Sequence, residues 1–407
     1  MCVPVCVFQQ TSAHIIVPEV LCMKKYLSLL LLVPMLTACG QADGSVLKGL
    51  VIEEQTYSEQ TAEQFGIPPE KVWSPLNFDH VIAKWFPYMG YEDYMLGKSA
   101  EEFRSAVHEL YSGAKAEGVN TLYLHVHPCG DAYYRSEIFP RGVCLDGGYD
   151  PLEIMLEEAH SLGLSVHAWI NPLRCQTEEQ MAVLPDSFTV KKWADDPGCD
   201  IAVLVNGRWY LDPAYTETDE LLTACVAEII KGYDVDGIHI DDYFYPTADI
   251  SFDAREFAES GASDLAQWRM SNCTRMVKTL RDTVKACDSR LQFGISPQGS
   301  INGNYSSQYA DVRLWCGTPG YCDYIVPQIY FGFNNESCPF AETLSLWEDM
   351  TSDEVKLIIG LAAYKLGKPD KWAGTAGESE WVDFPDIIER QISLVEASSA
   401  EGYALYE

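Results

Sequence analysis

The stretch from Val235 to Pro246 reads Val-Asp-Gly-Ile-His-Ile-Asp-Asp-Tyr-Phe-Tyr-Pro. Side chains alternate along a strand, so Gly237, His239 and Asp241 share one face and Ile238 and Ile240 the other. Burying an unpaired carboxylate is costly, so the polar face is expected to line a wet pocket. Carboxylates with aromatics beside them suit glycosidic bonds. That hydrolysis needs one carboxyl group to protonate the leaving oxygen and another to attack or to activate water. Asp241, inward-facing at the strand's end, is the expected nucleophile or charge stabiliser; a hydrogen-bonding brace is the structural alternative. Asp242 faces outward by strict alternation, and three roles stay open for it: acid, helix cap or calcium ligand. Asp131 follows an earlier strand and is a candidate acid or sugar-hydroxyl acceptor. No glutamate ends the Leu291–Ser296 strand, so the acid stays unassigned.

The same alternation recurs in other strands. Tyr123, His125 and His127 oppose Leu122, Leu124 and Val126; His167, Trp169 and Asn171 oppose Val166, Ala168 and Ile170. Gln292, Gly294 and Ser296 oppose Leu291, Phe293 and Ile295, while Gln328 and Tyr330 oppose Ile325, Pro327 and Ile329. The polar residues fall late in each strand. A single inward His or Gln is more often a satisfied core residue than a ligand contact, but five strands converging on one mouth favour a pocket. Trp169, Tyr243, Phe244, Tyr245, Tyr330 and Phe331 offer ring faces for stacking on sugars. Asn171, Arg174, Gln298, Asn302 and Gln328 are of the type that bonds sugar hydroxyls, and the inward His125, His127, His167 and His239 join them as candidate substrate contacts.

These positions need elements to hold them. Strands are expected at Val81–Phe86, Thr121–His127, Ser165–Asn171, Gly237–Asp241, Leu291–Ser296, Tyr324–Tyr330, Val355–Leu361 and Tyr403–Tyr406, with helices between. Ser99 and Glu102 form a capping box ahead of a helical stripe of Phe103, Val107, Leu110, Tyr111 and Ala114, which Gly118 ends. Asp150-Pro151 starts a second helix, with proline at the first helical position. Strand and helix alternating to eight strands predict an α/β fold, a (β/α)8 barrel, whose C-terminal mouth is where such barrels carry chemistry. A doubly wound open sheet ranks second, because no glycine-rich phosphate turn follows the early strands. The chain stops at Glu407, within or just after the eighth strand, so either the chain is truncated or closure is minimal.

Composition narrows the partners. A formal net charge of -32 argues against nucleic acid, whose affinity comes from phosphate neutralisation by Lys and Arg. Met23-Lys24-Lys25, the apolar run Leu27–Met35 and Leu36-Thr37-Ala38-Cys39-Gly40 read in order as a lipoprotein signal peptide over 23–39, with Cys39 as the lipidated residue. Residues 1–22 carry no Lys or Arg and read as an extension upstream of the true start at Met23. Residues 40–74 read as a tether and lead-in, and 75–407 as the barrel. The expectation is a lipid-anchored protein on the extracytoplasmic side of a bacterial membrane. Free buried cysteines are the default, with Cys316–Cys322 and Cys129–Cys144 as conceivable pairs. No zinc spacing or calcium loop is present and no cofactor is expected, while calcium held by the carboxylates stays open.

Eight motifs resemble, in order, those of the glycosyl-hydrolase-like 10 family, across residues 78–407. They are His125–Tyr134, Asp150–Glu153, His167–Arg174, Tyr210–Pro213, Asp236–Pro246, Phe293–Pro297, Tyr309–Trp315 and Asp323–Tyr330. The resemblance implies a barrel of glycoside-hydrolase type in exported or lipid-anchored bacterial proteins, some of which are thought to cut cell-wall glycan strands stripped of peptides. His127 stands where the family pattern has arginine, and Arg135 where it has a small residue or proline, so one substrate contact is expected to differ. The expected function is hydrolysis of an envelope or extracellular polysaccharide, peptide-free peptidoglycan strands first. A catalytically silent glycan-binding lipoprotein on the same barrel is the alternative, and an envelope scaffold a third.

Overall fold

The computed structural model describes residues 73–241 and 244–407. Twelve strands are formed among the described residues: β1 Val81–Phe86, β2 Thr121–His127, β3 Ser165–Ile170, β4 Arg174–Thr177, β5 Ala202–Val205, β6 Arg208–Leu211, β7 Gly237–Ile240, β8 Gln292–Ile295, β9 Tyr324–Ile325, β10 Lys356–Leu357, β11 Ile359–Ala362 and β12 Gly402–Tyr406. Nine of them make a parallel sheet in the order β10-β9-β8-β7-β3-β2-β1-β12-β11. Its two ends are one strand interrupted at Ile358: β10 pairs with β9, and β11 pairs with β12. The sheet therefore closes on itself as a (β/α)8 barrel. Gln328 bridges both Gln298 and Gly360, extending the weakly paired sixth strand toward the mouth. The closing β12 registers Gly402 against Val81 of β1.

The helices follow the sequence chemistry. Ser99 caps the helix Ala100–Ala116 in a full capping box with Glu102, and Asp150 accepts from Leu152 and Glu153 at the head of Pro151–Ser161. Helices Thr216–Gly232, Leu265–Cys287, Phe340–Met350 and Ile387–Glu396 complete much of the outer layer. Residues on the outward strand face, such as Leu122, Val166, Ile238 and Phe293, pack with these helices in one large core. Val81, Ala83, Trp85, Tyr123, Trp169, Tyr324, Val326, Ile358 and Ala404 fill the barrel interior as a second core. Large rings fit inside because glycines face them: a Cβ on Gly294 would lie 1.9 Å from the Tyr324 ring, and one on Gly237 2.8 Å from His167.

Between β3 and β7 the chain makes a three-stranded antiparallel sheet in the order β4-β6-β5, which the strand reading did not contain. Asn206 and Gly207 both have positive φ at the β5–β6 turn, the backbone a two-residue hairpin demands. All ten cysteines among the described residues are free, including Cys129, Cys144, Cys316 and Cys322. Cys39 and the segment expected to carry the lipid lie outside the described residues.

Candidate active site

The barrel interior has two levels. Deep inside, His239 stacks on Tyr123 at 4.0 Å, and its Nε2 lies 3.2 Å from Trp85 Nε1. Indole N–H can only donate, so His239 Nε2 is the acceptor and Nδ1 carries the proton. That Nδ1 donates to the Tyr324 hydroxyl at 3.1 Å, and the same hydroxyl is hydrogen-bonded to His167 Nδ1 at 2.6 Å. Burial holds His239 well below the usual imidazole range and pushes His167 down to about 3. Both rings are therefore neutral braces near pH 7, set beneath the mouth.

Above this brace a cavity of about 260 Å³ opens at the C-terminal end of the strands. Trp85, Tyr88, Met89, His125, Trp169, Arg174, Asp241, Gln328, Tyr330, Tyr364 and Tyr406 line it. Trp169 donates its indole N–H to Asp241 Oδ2 at 3.1 Å and stacks flat on His125 at 3.6 Å. Burial, with Arg174 nearby, keeps His125 neutral. Gln328 donates to the Ser296 carbonyl, which fixes its amide on the wall. Tyr330 and Tyr406 stack at 6.1 Å, and Tyr364 meets Tyr330 edge-on at 6.0 Å. The Tyr364 hydroxyl is pushed up to about 12 by burial, so it stays a donor at neutral pH. Arg174 arrives through the small sheet, where β4 pairs it with Tyr210 of β6.

Among the expected site residues, the structure thus gathers Asp241, His125, Trp169, Arg174, Gln328 and Tyr330 around one space. Others lie elsewhere. The β2–β3 register shifts between His125 and His127, and His127 packs on Phe139 at 4.3 Å. Asn171 is fully buried and donates to the Pro128 carbonyl. The side chain of Gln298 packs against Gly303. Phe244 packs on Trp315, and Tyr245 meets Phe252 and Tyr309, both in the outer core. Phe331 also packs against that core, and Asn302 lies in the short helix Ile301–Gly303. Asp131 folds back to accept from Cys129 N at 2.9 Å, and burial raises it to about 6. Asp242 and Tyr243 lie outside the described residues.

Five lining residues had not been singled out. Trp85 and Tyr406 were findable, since they continue the inward faces Val81-Ala83-Trp85 and Gly402-Ala404-Tyr406. Tyr88, Met89 and Tyr364 sit on segments beyond the strand ends, where alternation gives no signal. Asp241 is the single carboxylate among the described lining residues. No group of three or more His, Cys, Asp or Glu among the described residues is arranged to hold a metal ion. Chemically, the cavity offers a carboxylate held by an indole, one guanidinium and a ring of flat aromatic faces with hydroxyls.

Another buried carboxyl outside the cavity has a larger shift than Asp131. Asp212, at the end of β6, is fully buried and accepts from Ala214 N at 2.8 Å. Burial first, then the neighbouring Asp253 and Glu256, raise it to about 8. Below pH 4 both folded and unfolded chains keep this proton; between about 4 and 8 only the folded chain does; above 8 neither does. The Asp212 contribution to stability therefore falls as pH rises through that window. Asp212→Asn is expected to flatten this fall by a few kcal/mol, read as the urea midpoint at pH 5, 7 and 9. Parallel curves for the two proteins would show that Asp212 ionises normally in the fold.

Comparison with known proteins agrees with this architecture. A family model described as "Glycosyl hydrolase-like 10" matches residues 85–382. "Glycosyl hydrolase DigH" of Escherichia coli (strain K12) is 32% identical over 291 residues, covering 62% of this chain and 64% of that protein. "Glycosyl hydrolase YngK" of Bacillus subtilis (strain 168) is 32% identical over 333 residues, covering 73% of this chain and 61% of that protein. The chain thus spans under two thirds of the length of either relative. Among solved structures, alpha-L-fucosidase isoenzyme 2 from Paenibacillus thiaminolyticus superposes with a TM-score of 0.52 at 14% identity, over 80% of this chain and 46% of that one. This likeness concerns the fold.

Proposed function

The chain belongs to the glycosyl hydrolase-like 10 family, and on that premise we propose that it hydrolyses glycosidic bonds of a bacterial envelope or extracellular polysaccharide. Peptide-free peptidoglycan strands are the first substrate to test. The observation that carries the reading is the mouth cavity, where Asp241 stands among six Trp and Tyr side chains. Flat apolar faces bind the C–H faces of a sugar ring, while Arg174, Gln328 and the tyrosine hydroxyls can bond its polar edge. Asp241 would meet positive charge developing at the anomeric carbon, as nucleophile or as stabiliser. Cys39 would anchor the protein by a lipid on the extracytoplasmic side, a reading supported by the order of charge, apolar run and small residues before it.

A second reading has one observation in its favour. No glutamate ends the Leu291–Ser296 strand, which suits a barrel that binds glycan and does not cut it. Incubating the purified protein with peptide-free cell-wall glycan and counting new reducing ends separates the two. Cleavage supports the hydrolase; binding without cleavage supports the silent barrel. No binding to this or to a panel of neutral and acidic polysaccharides would sink both.

A further inference from the structure

Of the ten tryptophans, Trp372 alone is exposed, at 70%. One exposed apolar side chain needs no explanation by itself. Its position gives this one meaning. It lies in the loop that follows β11, on the C-terminal face where the barrel opens. The same loop supplies Tyr364 to the cavity wall. Lys365, next to Tyr364, donates to the carbonyl of Tyr330 at 2.8 Å and to Asp370 Oδ2 at 2.8 Å. The other oxygen of Asp370 accepts from the backbone N–H of Trp372 at 3.1 Å. Three hydrogen bonds in series, each near 3 Å, thus connect the cavity wall to the base of an exposed indole.

The ion pair at the centre of this chain is sheltered: the Asp370 side chain is 4% exposed. The carbonyl of Ala373 accepts from Glu336 N at 2.9 Å, which ties the loop to the one after β9. The backbone under Trp372 is therefore fixed while its ring faces solvent. A backbone already fixed in this way lowers the cost of ordering the loop when a ligand covers the ring. We infer that Trp372 is an outer stacking subsite for a glycan chain whose scissile region occupies the Asp241 cavity. This rests on the proposed glycan-cleaving or glycan-binding function and adds to it a requirement for chain length. The ligand class is a polysaccharide strand long enough to reach from the cavity onto the rim.

The test compares long peptide-free glycan strands with short oligosaccharides cut from them, using the parent protein, Trp372→Ala and Trp372→Tyr. For long strands, Trp372→Ala is expected to lower kcat/KM about tenfold more than for the short pieces, through KM, with Trp372→Tyr recovering most of the loss. If the parent binds without cutting, affinity for the same two ligand sets replaces kcat/KM. Equal effects on long and short ligands, or no effect on either, would overturn the outer subsite while leaving the central function standing. A parent that neither cuts nor binds these glycans or any member of the wider polysaccharide panel would overturn the proposed function and the subsite with it.

Discussion

Replacing Asp241 by Asn is expected to lower turnover of a cleaved glycan at least about a thousandfold, with KM for the same substrate changed far less. Asn keeps the shape of the side chain and an oxygen to accept the Trp169 indole N–H, now 3.1 Å from Oδ2. What it loses is the negative charge. A carboxylate that attacks or faces an oxocarbenium-like centre acts most strongly in the transition state, so its loss falls on kcat. A group that only orients bound sugar would show its loss in KM instead. Rates of reducing-end release at saturating and limiting glycan separate these outcomes. A variant within tenfold of the parent in kcat would remove Asp241 from the chemistry and turn attention to carboxylates beyond the cavity wall. The same variant, if folded, is also the natural trap for bound substrate.

Much of this site was legible because strand periodicity is an exact rule. Alternation placed Asp241, Trp169 and Gln328 on the inward face and at the mouth, and the structure gathers them there. The same rule could not separate His125 from His239, which are both inward-facing on the two strands that flank β3. Depth separates them. His125 lies level with Trp169 on the cavity, whereas His239 is enclosed by Trp85, Tyr123 and Tyr324 from three other strands. That enclosure is a property of barrel closure, and no single strand encodes it. Arg174 reaches the cavity from a hairpin-bearing excursion whose turn, Asn206-Gly207, was readable from its dipeptide. Tyr88 and Tyr364 arrive from beyond the strand ends, where position depends on what the loop packs against rather than on period.

The second large effect concerns the segment that leaves Asp241. Arg269 should be far less replaceable than its distance from the cavity suggests. Its side chain is fully buried and grips Asp253 through Nε at 2.8 Å and Nη2 at 2.5 Å. It also donates to the Asp249 carbonyl at 2.7 Å and to the Tyr309 hydroxyl at 3.1 Å. Its guanidinium lies 5.0 Å from the Tyr245 ring centroid and 4.9 Å from that of Tyr309. Tyr245, Asp249 and Asp253 all belong to the stretch that follows Asp241, so one side chain holds it at three points. Arg269→Met fills similar volume but strands the Asp253 carboxylate in the interior. A buried charge that loses its partner costs about 3–5 kcal/mol, and the loop loses its clamp. Stability to urea should fall by that amount, and kcat for a cleaved glycan should fall in the protein that remains folded. Adding Asp253→Asn to Arg269→Met removes the stranded charge and should restore much of the stability, yet it leaves Tyr245 and Asp249 unclamped and kcat low. If the double variant recovers both together, Arg269 serves the fold alone. If the single variant is as stable as the parent, the ion pair carries no net weight in this core.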